Sequence, residues 1–356
     1  MEGQAPDEYC EIKQQQQFAF TVFINNAFPI SHAYNRFRET DYPNFAEYIA
    51  SMFDGSVCLD TAAYSVCLVF QDRTTIPVSL LNKGRNAYIH ALQAIQQALN
   101  SDQISNKPEM IGTSILLSLY EMRIPSWPHD EWSNHCHGVA ALMKELGAHS
   151  FTQGFARSCY IFFRGFLIAH AFHTEQPCFL EDDQWQQLAE RFRVEDSQKV
   201  GISRMFVDIT ERILMELVKC PRYVSEAQLH QRTRSYHPAL QLYSRVVAAQ
   251  NNLRSLVIQL KDLISIHQPG ASSSVLFPAD IPSAPKFLLE GTENAIRLLD
   301  ALAQRLIMAP IPPFGVRSGL AQLIENGFIA QDALWLDQLG CSMGLLGTTL
   351  IDLIET

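Results

Sequence analysis

Apolar side chains recur at intervals of three and four along most of the chain. Phe18–Phe28, Phe45–Phe53, Val57–Phe70, Tyr88–Leu99, Met110–Met122, Val139–Leu146 and Tyr160–Phe172 each carry an apolar stripe at helical period. The same spacing continues through Met205–Val218, Leu240–Ile266, Phe287–Ile307 and Ala333–Ile354. Helix breakers separate the runs at Pro43, Pro77, Pro108, the Pro125–Pro128 loop, Pro177, Pro221 and Pro238. Strict apolar–polar alternation of the strand kind is scarce. The pattern predicts an all-α fold, a multi-helix array of about a dozen helices joined mostly by short loops. Residues 1–14 are expected to be disordered, and 15–356 to form one large helical domain. Two Pro-rich stretches, His267–Pro285 and Ala309–Gly315, read as surface loops or as a lid. No repeat of fixed period is visible.

Composition narrows the class. The chain has 356 residues, 47% hydrophobic and 18% charged, which suits a folded globule with a large core. Its formal charge is −10, and no Lys/Arg run stands out. Broad contact with nucleic-acid phosphates needs clustered cations, so direct nucleic-acid binding is not expected. The polar start MEGQAPDEYCEIKQQQQ does not read as a signal peptide. The most apolar segment, CYIFFRGFLIAHAF, is interrupted by Arg164 and His170 and falls short of the roughly 18 residues of a membrane span. A soluble intracellular protein, without membrane contact, is expected. The eight cysteines are scattered, with no C-x-x-C pair. They therefore read as core thiols and not as a structural zinc site.

The block from Trp132 to Trp185 reads WSNHCHGVAALMKELGAHSFTQGFARSCYIFFRGFLIAHAFHTEQPCFLEDDQW. It resembles the regulatory domain of fungal zinc-cluster transcription factors. The likeness rests on a "W…H…G…ALM…LG" helix, an "F…R…FFRGFLIAH" helix and a closing "P.FL….W". It extends to LDTAAYSVCLVF, YIHALQAIQQAL and MIGTSILLSLYEM before that block, and to NNLRSLVIQLKDLI after it, about residues 15 to 350. The resemblance implies a helical regulatory fold. The six-cysteine cluster that precedes this domain in those factors has no counterpart here. The expectation is therefore a domain that does something other than read DNA alone.

Three sets of residues could carry chemistry. Glu181, Asp182 and Asp183 stand together at a helix start just before Trp185. Carboxylates there suit the positive end of a helix dipole. Alternatively, Asp182 and Asp183 could hold Mg²⁺, a hard cation that takes carboxylate and phosphate oxygens. Asn251, Ser255 and Gln259 recur every fourth residue, on one helix face. That row is similar to the second metal motif of terpene cyclases, with Gln259 in place of the usual acid. Finally, Phe163 and Phe166 lie among aromatics on the helix that also carries Arg157 and Arg164. Such rings are ordinary core residues, or the wall of a cavity that stabilises a carbocation. The two arginines could hold a diphosphate, or could pair with nearby acids. His135, His137, His170 and His173 lack a third partner of metal-site spacing. No G-x-S-x-G, P-loop or G-x-G-x-x-G sequence occurs.

Two functional expectations follow. In the first, the chain resembles the unusual fungal sesquiterpene cyclases of the humulene-forming type. That likeness implies Mg²⁺-dependent ionisation of a prenyl diphosphate, farnesyl diphosphate, to a cyclic hydrocarbon in fungal secondary metabolism. Metal and arginines would stabilise the departing diphosphate. In the second, the chain is a transcription-regulator-like protein acting through a DNA-binding partner or a small effector. A cytoplasmic location goes with the first and a nuclear one with the second. A homodimer would be ordinary for a helical protein of this size.

Overall fold

The computed structural model describes Phe18, Phe20, Phe23 and residues 43–52, 55–70, 77–100, 107–124, 131–198, 202–233, 236–266 and 284–307. Among them every regular element is helical, so the all-α expectation holds. Eleven α-helices are described: α1 Phe45–Ser51, α2 Val57–Val69, α3 Val78–Asn100, α4 Lys107–Arg123, α5 Glu131–Leu146 and α6 Gly154–His173. They continue as α7 Asp183–Ser197, α8 Ile202–Leu217, α9 Cys220–Thr233, α10 Tyr236–Ile266 and α11 Ala284–Ile307. Short 3₁₀ turns, Ala148–Phe151 and Phe179–Glu181, lie on either side of α6. The expectations for residues 1–14, for the His267–Pro285 and Ala309–Gly315 stretches and for a helix at 333–354 lie largely or wholly outside the described residues.

Chain contacts divide the protein into two compact units, 41–162 and 163–343 in their main parts, with α6 running from the first into the second. In the first unit α2 packs on α3 and α4, and α4 packs on α5. Its core includes Leu59, Val66, Ile111, Ile115, Leu119 and Met143. Phe45 of α1 stacks on Phe162 at 4.5 Å and on Phe155 at 5.9 Å. Gly112 of α4 admits the Phe155 ring, since a Cβ there would lie 2.5 Å from the ring's Cζ.

In the second unit α8 packs on α7 and α10, while α10 lies along α11. The register of α8 explains this position. Phe206, Val207, Ile209, Ile213, Leu214 and Leu217 fall on one side at i, i+3, i+4 spacing and are buried. On α7 the same spacing buries Trp185, Leu188, Ala189 and Phe192. Trp185 meets Phe179 edge-on at 5.2 Å, which seats the 3₁₀ turn on the start of α7.

The turns around α6 follow from local chemistry. Gly147 stops α5 at positive φ (73°), with its N–H on the Met143 carbonyl at 3.0 Å. Glu175 (φ 53°) closes α6, also at positive φ. There the Gln176 N–H reaches the Ala171 carbonyl at 3.0 Å, and the Glu175 carboxylate accepts from Gln228 of α9. That side-chain bond offsets a backbone conformation unfavourable outside glycine. At α1, Asn44 and Glu47 form a reciprocal capping box, at 3.0 and 2.8 Å.

Candidate functional site

Arg164, on the second-unit part of α6, donates two hydrogen bonds to Glu211 of α8, at 2.5 and 2.6 Å. The two side chains are 2% and 0% exposed. This fork-to-fork geometry satisfies a guanidinium and a carboxylate that would each be costly to bury alone. Phe163 and Phe166 stack at 5.3 Å, with neither ring exposed. Arg157, in the first unit, is 1% exposed and donates to the Thr152 carbonyl at 3.5 Å.

Asp182 and Asp183 are exposed at the start of α7. Asp182 is the N-cap by its backbone, its carbonyl accepting from Trp185 and Gln186 at 2.9 and 3.0 Å. Their neighbour Glu181 takes the structural part. It accepts from Arg222 of α9 at 2.6–2.7 Å, and this bond raises the arginine's pKa above its ordinary value. The row on α10 keeps its predicted face: Gln259 Nε2 donates to the Ser255 carbonyl and hydroxyl, both at 3.3 Å, and Asn251 is exposed.

One open cleft lies in the second unit, with a volume of about 520 Å³. Glu190 and Arg193 of α7 form one wall. Arg212, Met215 and Glu216 of α8, with Lys219 just beyond its end, form a second. Asn252, Ser255 and Leu256 of α10 form the third. Helix α8 packs against both α7 and α10. Ser255 is the member of the sequence-based set that reaches the cleft. Asp182 and Asp183 sit about 10 Å or more up the α7 axis from Glu190, at 1.5 Å per residue. Among the described residues, no group of three or more His, Cys, Asp or Glu is arranged to hold a metal ion.

The charges in the cleft are graded by how firmly they are held. Arg193 donates to Asp208 and, through Nε and Nη2, to Glu190 at 2.7 and 2.5 Å. The bond from Arg193 holds the Glu190 carboxyl below the ordinary carboxylate range, and Glu190 in turn holds the guanidinium firmly protonated. Arg212 reaches Asp208 at 3.5 Å, and Lys219 reaches Glu216 at 2.9 Å, both as partly exposed pairs along one helix.

A second polar cluster closes the first unit. Glu121 of α4, its side chain 3% exposed, receives the Tyr88 hydroxyl of α3 on Oε1. His135 Nε2 of α5 lies 3.0 Å from the same oxygen and 3.2 Å from the Tyr88 oxygen. Tyr120 stacks on Tyr88 at 4.7 Å, and burial pushes its hydroxyl up to about 12. One carboxylate oxygen shared by a phenol and an imidazole ties three helices together. The sequence signal for it is a lone acid in the apolar run MIGTSILLSLYEM, which the motif search passed over. Glu211, Arg193, Arg212 and Lys219 were likewise missed, since each sits in an ordinary amphipathic helix and gains meaning only from its neighbours in space.

No family model matches the chain, and no solved structure matches it. Over 293 residues it is 29% identical to an uncharacterized protein of Emericella nidulans, an alignment covering 79% of this chain and 59% of the relative. The chain thus spans less than two thirds of that relative's length. No helix among the described residues is long and apolar enough to cross a membrane.

Proposed function

We propose that this chain is a regulator-like helical protein that acts through a DNA-binding partner or a small effector. The supporting observation is the mutual capture of Arg164 and Glu211. The cation best placed in the motif block to grip a diphosphate is bound, out of water, by a carboxylate of α8. Phe163 and Phe166 beside it are buried and stack on one another. The residues that carry the resemblance to zinc-cluster regulators behave alike: Trp132, Gly147, Phe151, Arg157, Arg164 and Trp185 cap helices or fill the core. A net charge of −10 fits a protein that reaches DNA by way of another molecule. A nuclear location follows from this reading.

The test is a transcriptional reporter. Fused to a heterologous DNA-binding module, the full chain should change reporter output. The Asp182→Asn and Asp183→Asn variants should match the parent. A silent fusion at normal expression would remove this reading.

One observation favours the cyclase as a second reading: Ser255 shares its cleft with Arg193, Arg212 and Lys219, cations of the kind that hold a diphosphate. In that reading Asp182 and Asp183 would supply Mg²⁺ ligands. Incubation with farnesyl diphosphate and Mg²⁺ decides it. A hydrocarbon product, lost in Asp182→Asn or Asp183→Asn, would establish the cyclase. Absence of product with farnesyl, geranyl and geranylgeranyl diphosphates would remove it.

A further inference from the structure

We propose that the cleft between α7, α8 and α10 binds a small amphiphilic monocarboxylate, its carboxylate between Arg212 and Lys219 and its apolar body on Met215 and Leu256. Three features of the cleft lead there. Its volume of about 520 Å³ falls in the range of small-ligand sites. Met215 and Leu256 give it apolar lining, while Asn252 and Ser255 add an amide and a hydroxyl that can donate to an anionic head.

The third feature is how easily its cations exchange partners. Arg193 is clamped by Glu190 and Asp208 and forms a fixed wall. Arg212 and Lys219 lie seven residues apart, close to one side of α8. Each is held by a partly exposed pair within its own helix or just past its end, at 3.5 and 2.9 Å. Such pairs contribute little and exchange readily for a better acceptor. A carboxylate matches the guanidinium fork with two parallel bonds and leaves the ammonium a second contact.

The same walls select against heavier charge. Glu190 and Glu216 face the cleft beside the cations. A head bearing several negative charges would face both carboxylates at short range. One negative charge is what two loosely held cations can accept against two resident acids.

The inference supplies an effector to the regulator-like reading, and rests on that reading only for its consequence in the cell. Its test uses purified full-length protein and isothermal titration with decanoate below its micelle concentration. Decanoate should bind with one-to-one stoichiometry, and decanol about tenfold more weakly, as expected on loss of a charge-assisted contact. Arg212→Gln combined with Lys219→Gln should weaken decanoate about tenfold. Ser255→Trp, which fills the cleft and leaves those charges intact, should do the same. Equal binding of decanoate and decanol, binding unchanged in both variants, or no binding at all would overturn the proposal. So would tighter binding of farnesyl diphosphate or inorganic phosphate than of decanoate. Binding without any decanoate effect on the reporter fusion would instead count against the regulator-like reading. A reporter response without binding would sink the ligand alone.

Discussion

Arg164 and Glu211 meet with both side chains out of water. Removing one partner strands the other, and a stranded buried charge typically costs about 3–5 kcal/mol. Glu211→Ala should therefore lower the unfolding free energy by about that amount in urea titrations. The paired replacement Arg164→Met with Glu211→Leu should recover most of the loss, because apolar side chains of similar bulk need no partner. A milder effect is expected at the first-unit cluster. Tyr88→Phe removes a donor from Glu121 and leaves His135 in place, so a loss of about 1–2 kcal/mol should appear in the same assay. Arg164 could be picked out in the sequence because it interrupts an apolar run. Its partner could not, since α8 offers Asp208, Glu211 and Glu216 as acids and helical period alone does not choose among them. For the same reason the guess that Arg164 meets a phosphate was as open to the sequence as the guess that it meets an acid.

Helices were the most readable feature of the chain, and the misreadings at their ends have one cause. Pro108, Pro221 and Pro238 read as separators, yet they fall inside the first turns of α4, α9 and α10. A first-turn residue has no intrahelical N–H bond to lose, so proline is accommodated there. The helices consequently begin a few residues before their apolar stripes: α4 starts at Lys107 where the stripe starts at Met110, and α10 at Tyr236 where it starts at Leu240. Helix α9 was missed outright. Its sequence CPRYVSEAQLHQRT is mostly polar, and only Val224, Ala227 and Tyr223 reach the core from its middle. Two glycines test the element-level account. Gly112→Ala should destabilise by about 1–3 kcal/mol, because the new methyl meets the Phe155 ring and outweighs the gain in helix propensity. Gly147→Ala forces a side chain into a positive-φ extended backbone essentially confined to glycine and should cost about 1–3 kcal/mol. Thermal or chemical unfolding checks both, and a stabilised Gly112→Ala protein would contradict the packing described between α4 and α6.

Across the molecule, burial holds thiols in their neutral form. Desolvation raises the pKa of Cys67, Cys136 and Cys159 well above its ordinary value, and raises that of Cys220 as well. The folded chain then keeps protons that the unfolded chain releases above about pH 8.5. Stability should be level with respect to these groups below that pH and fall above it, by about 1.4 kcal/mol per pH unit for each thiol. Urea midpoints measured from pH 7 to 10 should slope downward. The slope should shrink in a Cys67→Ala, Cys136→Ala, Cys159→Ala protein, and an identical slope would refute the assignment. At this scale the all-helical class and the reading of Cys67, Cys136, Cys159, Cys178 and Cys220 as core thiols could be had from composition and period. The division into two units could not, since apolar runs look alike on either side of Phe162. Nor could the cleft, which three helices form from residues spread between Glu190 and Leu256.

The buried pair also constrains descent. A lineage that lost the cation at position 164 first would pass through a form with an abandoned acid in its interior, and one that lost position 211 first would carry the mirror defect. Drift at either site is therefore trapped unless both change nearly together. Living cousins of this chain should accordingly show both charges or neither, and a cousin keeping just one should have recruited a fresh counter-charge nearby.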